Sequence, residues 1–330
     1  MPCLNEEDRI LGALESLIDD WVLAEGEILV LDGGSSDGTR LAVEEFVKKR
    51  RASGSAIQLK IIENPGRLQV FGLNAGIRAA CGEFIVRADA HCLFPPGYVK
   101  TCIDTIQAKE PEGVANVGGV MEPLGLKLRQ KAIAQAMIHP LGVGDARFHL
   151  GTKSGFTDTV YLGTFRKRLL EEVGLYDIKH NPNEDAELNI RLLKAGWKIY
   201  LDHNLRVQYF PRETYSALAR QYFAYGSGRA RTTWKHRRVT SWRQIVPAVF
   251  VLGLMASLLL AIFKPLFLFF PAAYFGVVLL GAIFVPAARQ NRRPVLMVRF
   301  AAAWAIVVMH ISWGIGFDLE ILHLAFGRRD

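Results

Sequence analysis

Three acidic groups in this chain have the residue types and spacing to do chemistry. Asp32 opens the run Asp32-Gly33-Gly34-Ser35-Ser36-Asp37-Gly38-Thr39. Carboxylates in such a run can accept from ribose hydroxyls or a pyrimidine N–H, and the backbone N–H groups of the turn can hold an anion. The same octapeptide is also an ordinary turn whose Ser and Thr cap a helix. Asp89-Ala90-His91 puts a carboxylate and an imidazole two residues apart, hence on one face of an extended segment. The pair offers hard-to-borderline donors for Mg²⁺ or Mn²⁺ against a diphosphate, although a strand-terminal Asp with a nearby His is more often just two solvated side chains. Glu184-Asp185 opens a helical stretch. Complementing the helix dipole explains one carboxylate there, and the same dipole keeps Asp185 ionised, as a general base must be.

These residues need elements to position them. Residues 28–31 form an apolar run ending at Asp32, followed by the turn and a helical stretch over 40–51, which reads as strand, turn, helix. A second strand over 59–63 leads through Asn64-Pro65-Gly66 into a helix over 70–80, and a third strand over 83–88 ends at Asp89. This alternation predicts a mostly parallel sheet covered by helices, with Asp32 and Asp89 at the carboxyl ends of strands, the edge where open α/β sheets bind ligands. A short strand is expected over 115–119, a helix over 127–137 and a long loop over 142–158. Residues 184–195 carry a helical apolar face of Leu188, Leu192, Leu193 and Ala195, with Asn183 as N-cap and Gly196 as terminator.

The last third is different. Residues 214–234 set Leu218, Tyr222 and Tyr225 against Arg220, Arg229 and Arg231 at helical spacing, which reads as an interfacial amphipathic region. Residues 245–263, 266–285 and 300–317 are apolar runs that each approach the ~20 residues needed to cross ~30 Å of hydrocarbon. Three transmembrane helices are expected. Arg289, Arg292, Arg293 and Arg299 between the second and third place that loop in the cytosol, on the side of the N-terminal domain. Three spans would leave Arg328 and Arg329 outside, so residues 318–326 folding back along the membrane, or one re-entrant run, is the alternative.

The net charge of +8 suggests nucleic acid less than lipid, because the densest basic cluster, residues 229–238, lies just before an apolar run and no groove-reading motif accompanies it. Cys3, Cys81, Cys92 and Cys102 show no CxxC spacing, so reduced cytoplasmic thiols are expected and no zinc knuckle. The chain opens at Met1-Pro2-Cys3 where an α/β domain would already have completed a strand, so an N-terminal strand is expected to be missing.

Taken in order, Pro2-Cys3-Leu4-Asn5-Glu6-Glu7, the Asp32 turn, Asn74-Ala75-Gly76 to Gly82, Asp89-x-His91 and Glu184-Asp185 resemble glycosyltransferase family 2. Within it, Arg87-Ala88-Asp89-Ala90-His91, Gly142-Val143-Gly144, residues 158–163 and residues 221–226 look like bacterial exopolysaccharide transferases of the succinoglycan glucosyltransferase type. The resemblance implies a GT-A fold, a Rossmann-like mixed sheet flanked by helices, over residues 1–212. Interfacial helices over 213–244 and a transmembrane region over 245–330 would follow. It implies that Glu6, Asp32, Asn74 and Asp89 bind the nucleotide-sugar donor, that Asp89 and His91 hold a divalent cation, Mg²⁺ or Mn²⁺, and that Asp185 deprotonates the acceptor hydroxyl. His91 stands where the family usually has a second Asp. Gln221-Tyr222-Phe223-Ala224-Tyr225 lacks the Arg-Trp pair of processive members, so one sugar per encounter is expected.

The function implied is an inverting hexosyl transfer from a UDP-sugar such as UDP-glucose to a lipid-linked or polysaccharide acceptor. It would take place at the inner (plasma) membrane, with the catalytic domain cytoplasmic, membrane lipids as partners and nucleic acid excluded. A polyprenyl-phosphate sugar synthase would share the motifs and suit the tail equally. A non-catalytic nucleotide-binding membrane scaffold would fit the His91 departure, but the intact Asp185 speaks against it. A soluble nucleotidyltransferase would carry a Gly-rich phosphate loop near its N-terminus and no membrane segment.

Overall fold

The computed structural model of the chain describes residues 1–239, 242–287 and 295–327. They form two compact units, one of residues 1–122 with 153–209 and one of residues 123–152 with 210–330. The chain leaves the first unit at Glu122 and re-enters it at Lys153.

In the first unit, β1 (Pro2–Cys3), β2 (Ile28–Asp32) and β3 (Leu59–Glu63) form a parallel sheet in that order, with Cys3 level with Asp32 and Asp32 level with Glu63. A second sheet holds β4 (Phe84–Val86), β5 (Cys92–Leu93), β6 (Val114–Pro123), β7 (Gly155–Thr157), β8 (Tyr161–Arg166) and β9 (Lys198–Tyr209). Its order is β4-β8-β6-β9-β5, with β7 also on β9. The mixed architecture agrees with the expected fold class, but the alternation along the chain misreads the third strand. β4 does not extend the parallel sheet; it pairs antiparallel with β8, Phe84 opposite Arg166. A three-residue strand carries too little side-chain pattern to specify a partner some eighty residues away, so tertiary packing decides it. β7 and two short helices, Pro140–Val143 and Arg147–Leu150, also occupy the stretch read as a loop.

The core beneath the strand ends fixes the helix that carries Asp185. Helix Gln69–Ala79 buries Val70, Leu73 and Ile77 against Phe165, Leu170 and Tyr176, and the same cluster takes Leu188 and Leu192 from helix Glu184–Lys194. Gly76 lets the first of these helices lie on the sheet, since a Cβ there would stand 2.9 Å from the Leu31 side chain. Helix Glu184–Lys194 ends as expected: Gly196 has φ of 88°, and its N–H and that of Trp197 reach back to Leu193 and Leu192. Its start differs. Asn183 occupies the N-cap position with φ of 87°, but its side chain makes no cap hydrogen bond.

In the second unit, helix Tyr215–His236 packs along helix Leu296–Phe326. The stripe read as a lipid-facing surface is instead partly a helix-packing surface. A Cβ on Gly226 would strike the Trp313 carbonyl and one on Gly316 the Phe223 carbonyl, so the two backbones touch, and Ser227 Oγ donates to the Gly316 carbonyl at 3.1 Å. Arg231 pairs with Glu320 at 3.2 Å.

Two segments, not three, have the length and composition to cross a membrane among the described residues: Pro265–Phe284 and Leu296–Phe326. Helix Val246–Ala261 has 16 residues and rises about 24 Å, short of ~30 Å of hydrocarbon. Leu296–Phe326 is one continuous helix, so residues 318–326 do not fold back. Arg289, Arg292 and Arg293 of the expected cytosolic loop, and Arg328 and Arg329, lie outside the described residues. Val246–Ala261 and Phe269–Phe284 form a hairpin in which Phe250 stacks on Phe270 and Tyr274, while Phe269, Val277, Leu280 and Phe284 stay exposed.

Candidate active site

Asp32 sits at the end of β2 and is buried. Its Oδ1 accepts from the Ser35 N–H at 3.0 Å and the Ser35 hydroxyl at 2.6 Å, so one oxygen shapes the turn. Glu6, just past the neighbouring β1, has its N–H on the Thr39 hydroxyl at 2.8 Å, which ties the two strand ends together. Asn5 completes the link by accepting from the Ser36 N–H at 2.8 Å.

The Glu6 carboxylate faces His91, Oε1 lying 3.2 Å from Nδ1. A proton on Nδ1 donates to Glu6, which leaves the Nε2 lone pair for a metal, the usual arrangement for a ligating imidazole. The Tyr209 ring meets the His91 ring edge-on at 5.5 Å, and Tyr161 stands behind Tyr209. The Tyr161 hydroxyl lies 3.1 Å from the buried Cys92 sulfur.

Asp89 is buried and its Oδ1 receives both Gln69 Nε2 and Arg87 Nε at 3.3 Å. Arg87 then reaches Glu184 through Nη1 at 3.1 Å. One guanidinium thus spans from the strand end to the first residue of helix Glu184–Lys194. Burial works against the Arg87 charge, but Asp89 and Glu184 more than offset it and hold its pKa well above the ordinary value. Burial pushes Asp89 up, yet the adjacent Arg87 and then His91 bring its carboxyl below the ordinary value. Glu184 moves the other way, because burial and the neighbouring Asp185 charge outweigh what Arg87 returns. The opposite directions of two carboxylates on one arginine follow from this: Glu184 is the more enclosed and has an acid beside it.

Asp185 itself is exposed, accepts from the Ala186 N–H at 2.7 Å and borders a 40 Å³ cavity shared with Arg87, Tyr176 and Asn189. The polar contacts therefore run without a break from Glu6 through His91, and from Asp89 through Arg87 to Glu184, the residue before Asp185. Asn74 stands apart. It is buried, its Nδ2 donates to the Tyr176 carbonyl at 2.8 Å and its Oδ1 accepts from the Tyr176 N–H at 3.0 Å, so both ends of the amide are engaged in holding helix Gln69–Ala79 to the residues ahead of helix Glu184–Lys194.

Two residues gain importance that the sequence reading did not give them. Arg87 carried a signal: it lies two residues before Asp89, four before His91, and so on the same face of an extended segment. Gln69, at the first position of a helix some twenty residues upstream, carried none.

As to a metal, no three His, Cys, Asp or Glu side chains group closely enough to hold one by themselves among the described residues. The donor set of one carboxylate oxygen and one imidazole nitrogen fits an ion that completes its coordination with diphosphate oxygens and water.

Comparison with known proteins agrees with this geometry. The family model described as glycosyl transferase family 2 matches residues 1–174. The chain is 31% identical over 332 aligned residues to the succinoglycan biosynthesis protein ExoA of Rhizobium meliloti (strain 1021), covering all of this chain and 95% of that one. It is 29% identical over 233 residues to the dolichyl N-acetyl-alpha-D-glucosaminyl phosphate 3-beta-D-2,3-diacetamido-2,3-dideoxy-beta-D-glucuronosyltransferase of Methanococcus voltae, covering 69% of this chain and 71% of that one. Among solved structures, the mannosyltransferase PcManGT of Pyrobaculum calidifontis, in complex with GDP-Man and Mn²⁺, shares the fold with a TM-score of 0.58 at 18% identity, over 97% of this chain and 85% of that one. A family model over more than half the chain, a full-length relative and a GT-A sheet bearing the acids at its strand ends make this chain a glycosyltransferase that belongs to glycosyl transferase family 2.

Proposed function

We propose that this chain adds one sugar per encounter, with inversion, from a nucleotide-diphosphate donor to a membrane-associated glycan in exopolysaccharide synthesis. The observation that carries the reading is the pair of polar chains Glu6–His91 and Asp89–Arg87–Glu184, which the two-residue step from Asp89 to His91 brings side by side, because together they gather the groups that donor, cation and acceptor each need. The full-length likeness to a succinoglycan biosynthesis protein supports the pathway class, and a UDP-sugar such as UDP-glucose is the donor of this reading.

Glu6 and Asp32 bind the nucleoside, each keeping a carboxylate oxygen for it, and Asn74 supports them from the scaffold. Asp89 and His91 would hold Mg²⁺ or Mn²⁺, which when bound neutralises the charge of the diphosphate. Mn²⁺ accompanies GDP-Man in the structure of the mannosyltransferase with the same fold. Asp185, exposed at the start of its helix, takes the proton of the acceptor hydroxyl as that oxygen attacks the anomeric carbon from the face opposite the leaving diphosphate. Arg87 is a positioning residue that keeps Asp89 ionised and anchors the residue next to the base.

The apolar hairpin Val246–Ala261 and Phe269–Phe284 supports attachment to the inner membrane. With Val246–Ala261 too short to cross, a hairpin that dips into one leaflet and returns leaves the chain on the side it entered from, which in this reading is the cytosolic side of residues 1–209. A membrane-impermeant maleimide tests this on Cys81, an exposed thiol in the first unit. Labelling in inverted vesicles but not in right-side-out ones is expected.

The relative from Methanococcus voltae is named for transfer onto a dolichyl phosphate-linked sugar, which favours a lipid-linked acceptor as the second reading. Membranes carrying this chain, given labelled UDP-sugars with Mn²⁺, are expected to transfer onto lipid-linked oligosaccharide rather than bare polyprenyl phosphate. In Asp185→Asn the transfer rate is expected to fall by about 10²- to 10⁴-fold with donor binding retained. Wild-type turnover by that variant removes Asp185 from the mechanism.

A further inference from the structure

A backbone irregularity shapes the cavity that Asp185 borders. β6 and β8 pair with Val117 opposite Thr164 but Gly119 opposite Tyr161, so two steps along β6 face three along β8, and the extra residue falls at Leu162-Gly163. Leu162 absorbs it with φ of 52°, a left-handed conformation that a leucine adopts only at a cost, and bulges of this kind re-aim side chains next to active sites. Here the bulge sets Gly163 over the Asn116 side chain. A Cβ on Gly163 would lie 2.5 Å from Asn116 Oδ1 and 2.6 Å from the end of the Phe165 ring, and all three residues line the 40 Å³ cavity.

Asn116 is 1% exposed, and only half of its amide is used. Its Nδ2 donates to Asn189 Oδ1 at 2.8 Å, and Asn189 Nδ2 donates on to the Thr159 hydroxyl at 3.1 Å. The chain of amides therefore ends at the Asn116 carbonyl oxygen, which has no hydrogen-bond partner among the described residues. Leaving a buried acceptor unmet is costly, so this oxygen calls for a donor. Asn189 lies four residues after Asp185, on the same face of helix Glu184–Lys194, so the amide chain and the carboxylate share one side of that helix. The cavity exceeds the roughly 10–15 Å³ that one water needs and is far too small for a sugar ring.

We propose that this cavity is a binding site for one ordered water held by Asn116. The water donates one hydrogen to Asn116 Oδ1 and the other to the Asp185 carboxylate, and it accepts from the Arg87 guanidinium, which also lines the cavity. Asn116 and Asn189 thereby become positioning residues, because through the water they fix which way the Asp185 carboxylate turns. The water site stands on the geometry alone, whereas its effect on turnover rests on the reading of Asp185 as the base.

The test is a high-resolution structure of the full chain in lipid nanodiscs, read together with turnover. Density for one water about 2.5–3.0 Å from Asn116 Oδ1 is expected, and an empty position there overturns the proposal. Asn116→Leu/Asn189→Leu replaces both amides by apolar groups of similar shape and leaves neither unmet. In that variant the water is expected to be lost and kcat to fall about tenfold, with the donor KM and the thermal midpoint unchanged. Wild-type kcat with the water gone overturns the positioning role, as does a fall in kcat matched by a lowered thermal midpoint. Full turnover by Asp185→Asn removes the base and with it the effect on rate, while density at Asn116 in that same variant upholds the water site.

Discussion

The two units of this chain solve opposite problems. In residues 1–122 and 153–209 charge is buried: Arg87, Asp89 and Glu184 have side chains at most 11% exposed. In residues 210–330 hydrocarbon is exposed: Phe269 and Phe284 are more than 70% open on a helix without a charged residue. Neither state is stable in water alone. The first is tolerated because each charge meets its opposite, the second because a bilayer replaces water, and so the two regions fail under different insults.

Removing one partner tests the first region most severely. Arg87→Met leaves two enclosed carboxylates without a counter-charge and is expected to cost about 3–5 kcal/mol, read as a lowered denaturation midpoint, with Arg87→Met/Glu184→Gln recovering part of it. If the single variant is as stable as wild type, Arg87 is not holding the cluster. In the second region, Val277→Lys on the exposed face of helix Phe269–Phe284 is expected to weaken membrane insertion by about 2.5–3.5 kcal/mol, measured as protein lost from the membrane pellet. An unaltered pellet would mean that this face does not meet lipid.

A smaller effect separates packing from insertion. Gly226→Leu forces apart helices Tyr215–His236 and Leu296–Phe326 and is expected to destabilise by about 1–3 kcal/mol without changing membrane retention. The smallest is a pH effect in the first region. Glu184 has its pKa raised in the fold from an ordinary 4.5, so the folded chain holds more protons than the unfolded one just above that pH. Stability therefore declines as pH rises from 4.5 through the raised value. Asp89, lowered, contributes the reverse below its ordinary 3.8, where stability falls with falling pH. Glu184→Gln is expected to remove the first slope and keep the second in denaturation curves taken across pH 3–7.

How much of this was legible depended on the range of the interaction. Asp32, Asp89 and the start of helix Glu184–Lys194 were readable because a turn, an i,i+2 pair and an acidic first helical turn are local patterns. The pairing of β4 with β8 and the return of residues 123–152 to the second unit were not, since both are decided between residues far apart in the chain. Glu6 lay between the two cases: its position was visible, its contact with His91 across 85 residues was not. The membrane segments differ for another reason: among the described residues two of the three apolar runs form helices long enough to cross. Hydropathy marks where apolar residues run but not where a helix stops, and Val246–Ala261 stops early.

Arg87 uses two nitrogens of a single rigid plane, Nε toward Asp89 and Nη1 toward Glu184. A planar fork cannot stretch, so it works as a ruler that sets the gap between strand end and helix start to one guanidinium width. Lysine, with one ammonium on a flexible stem, could keep the charge but would lose the gauge.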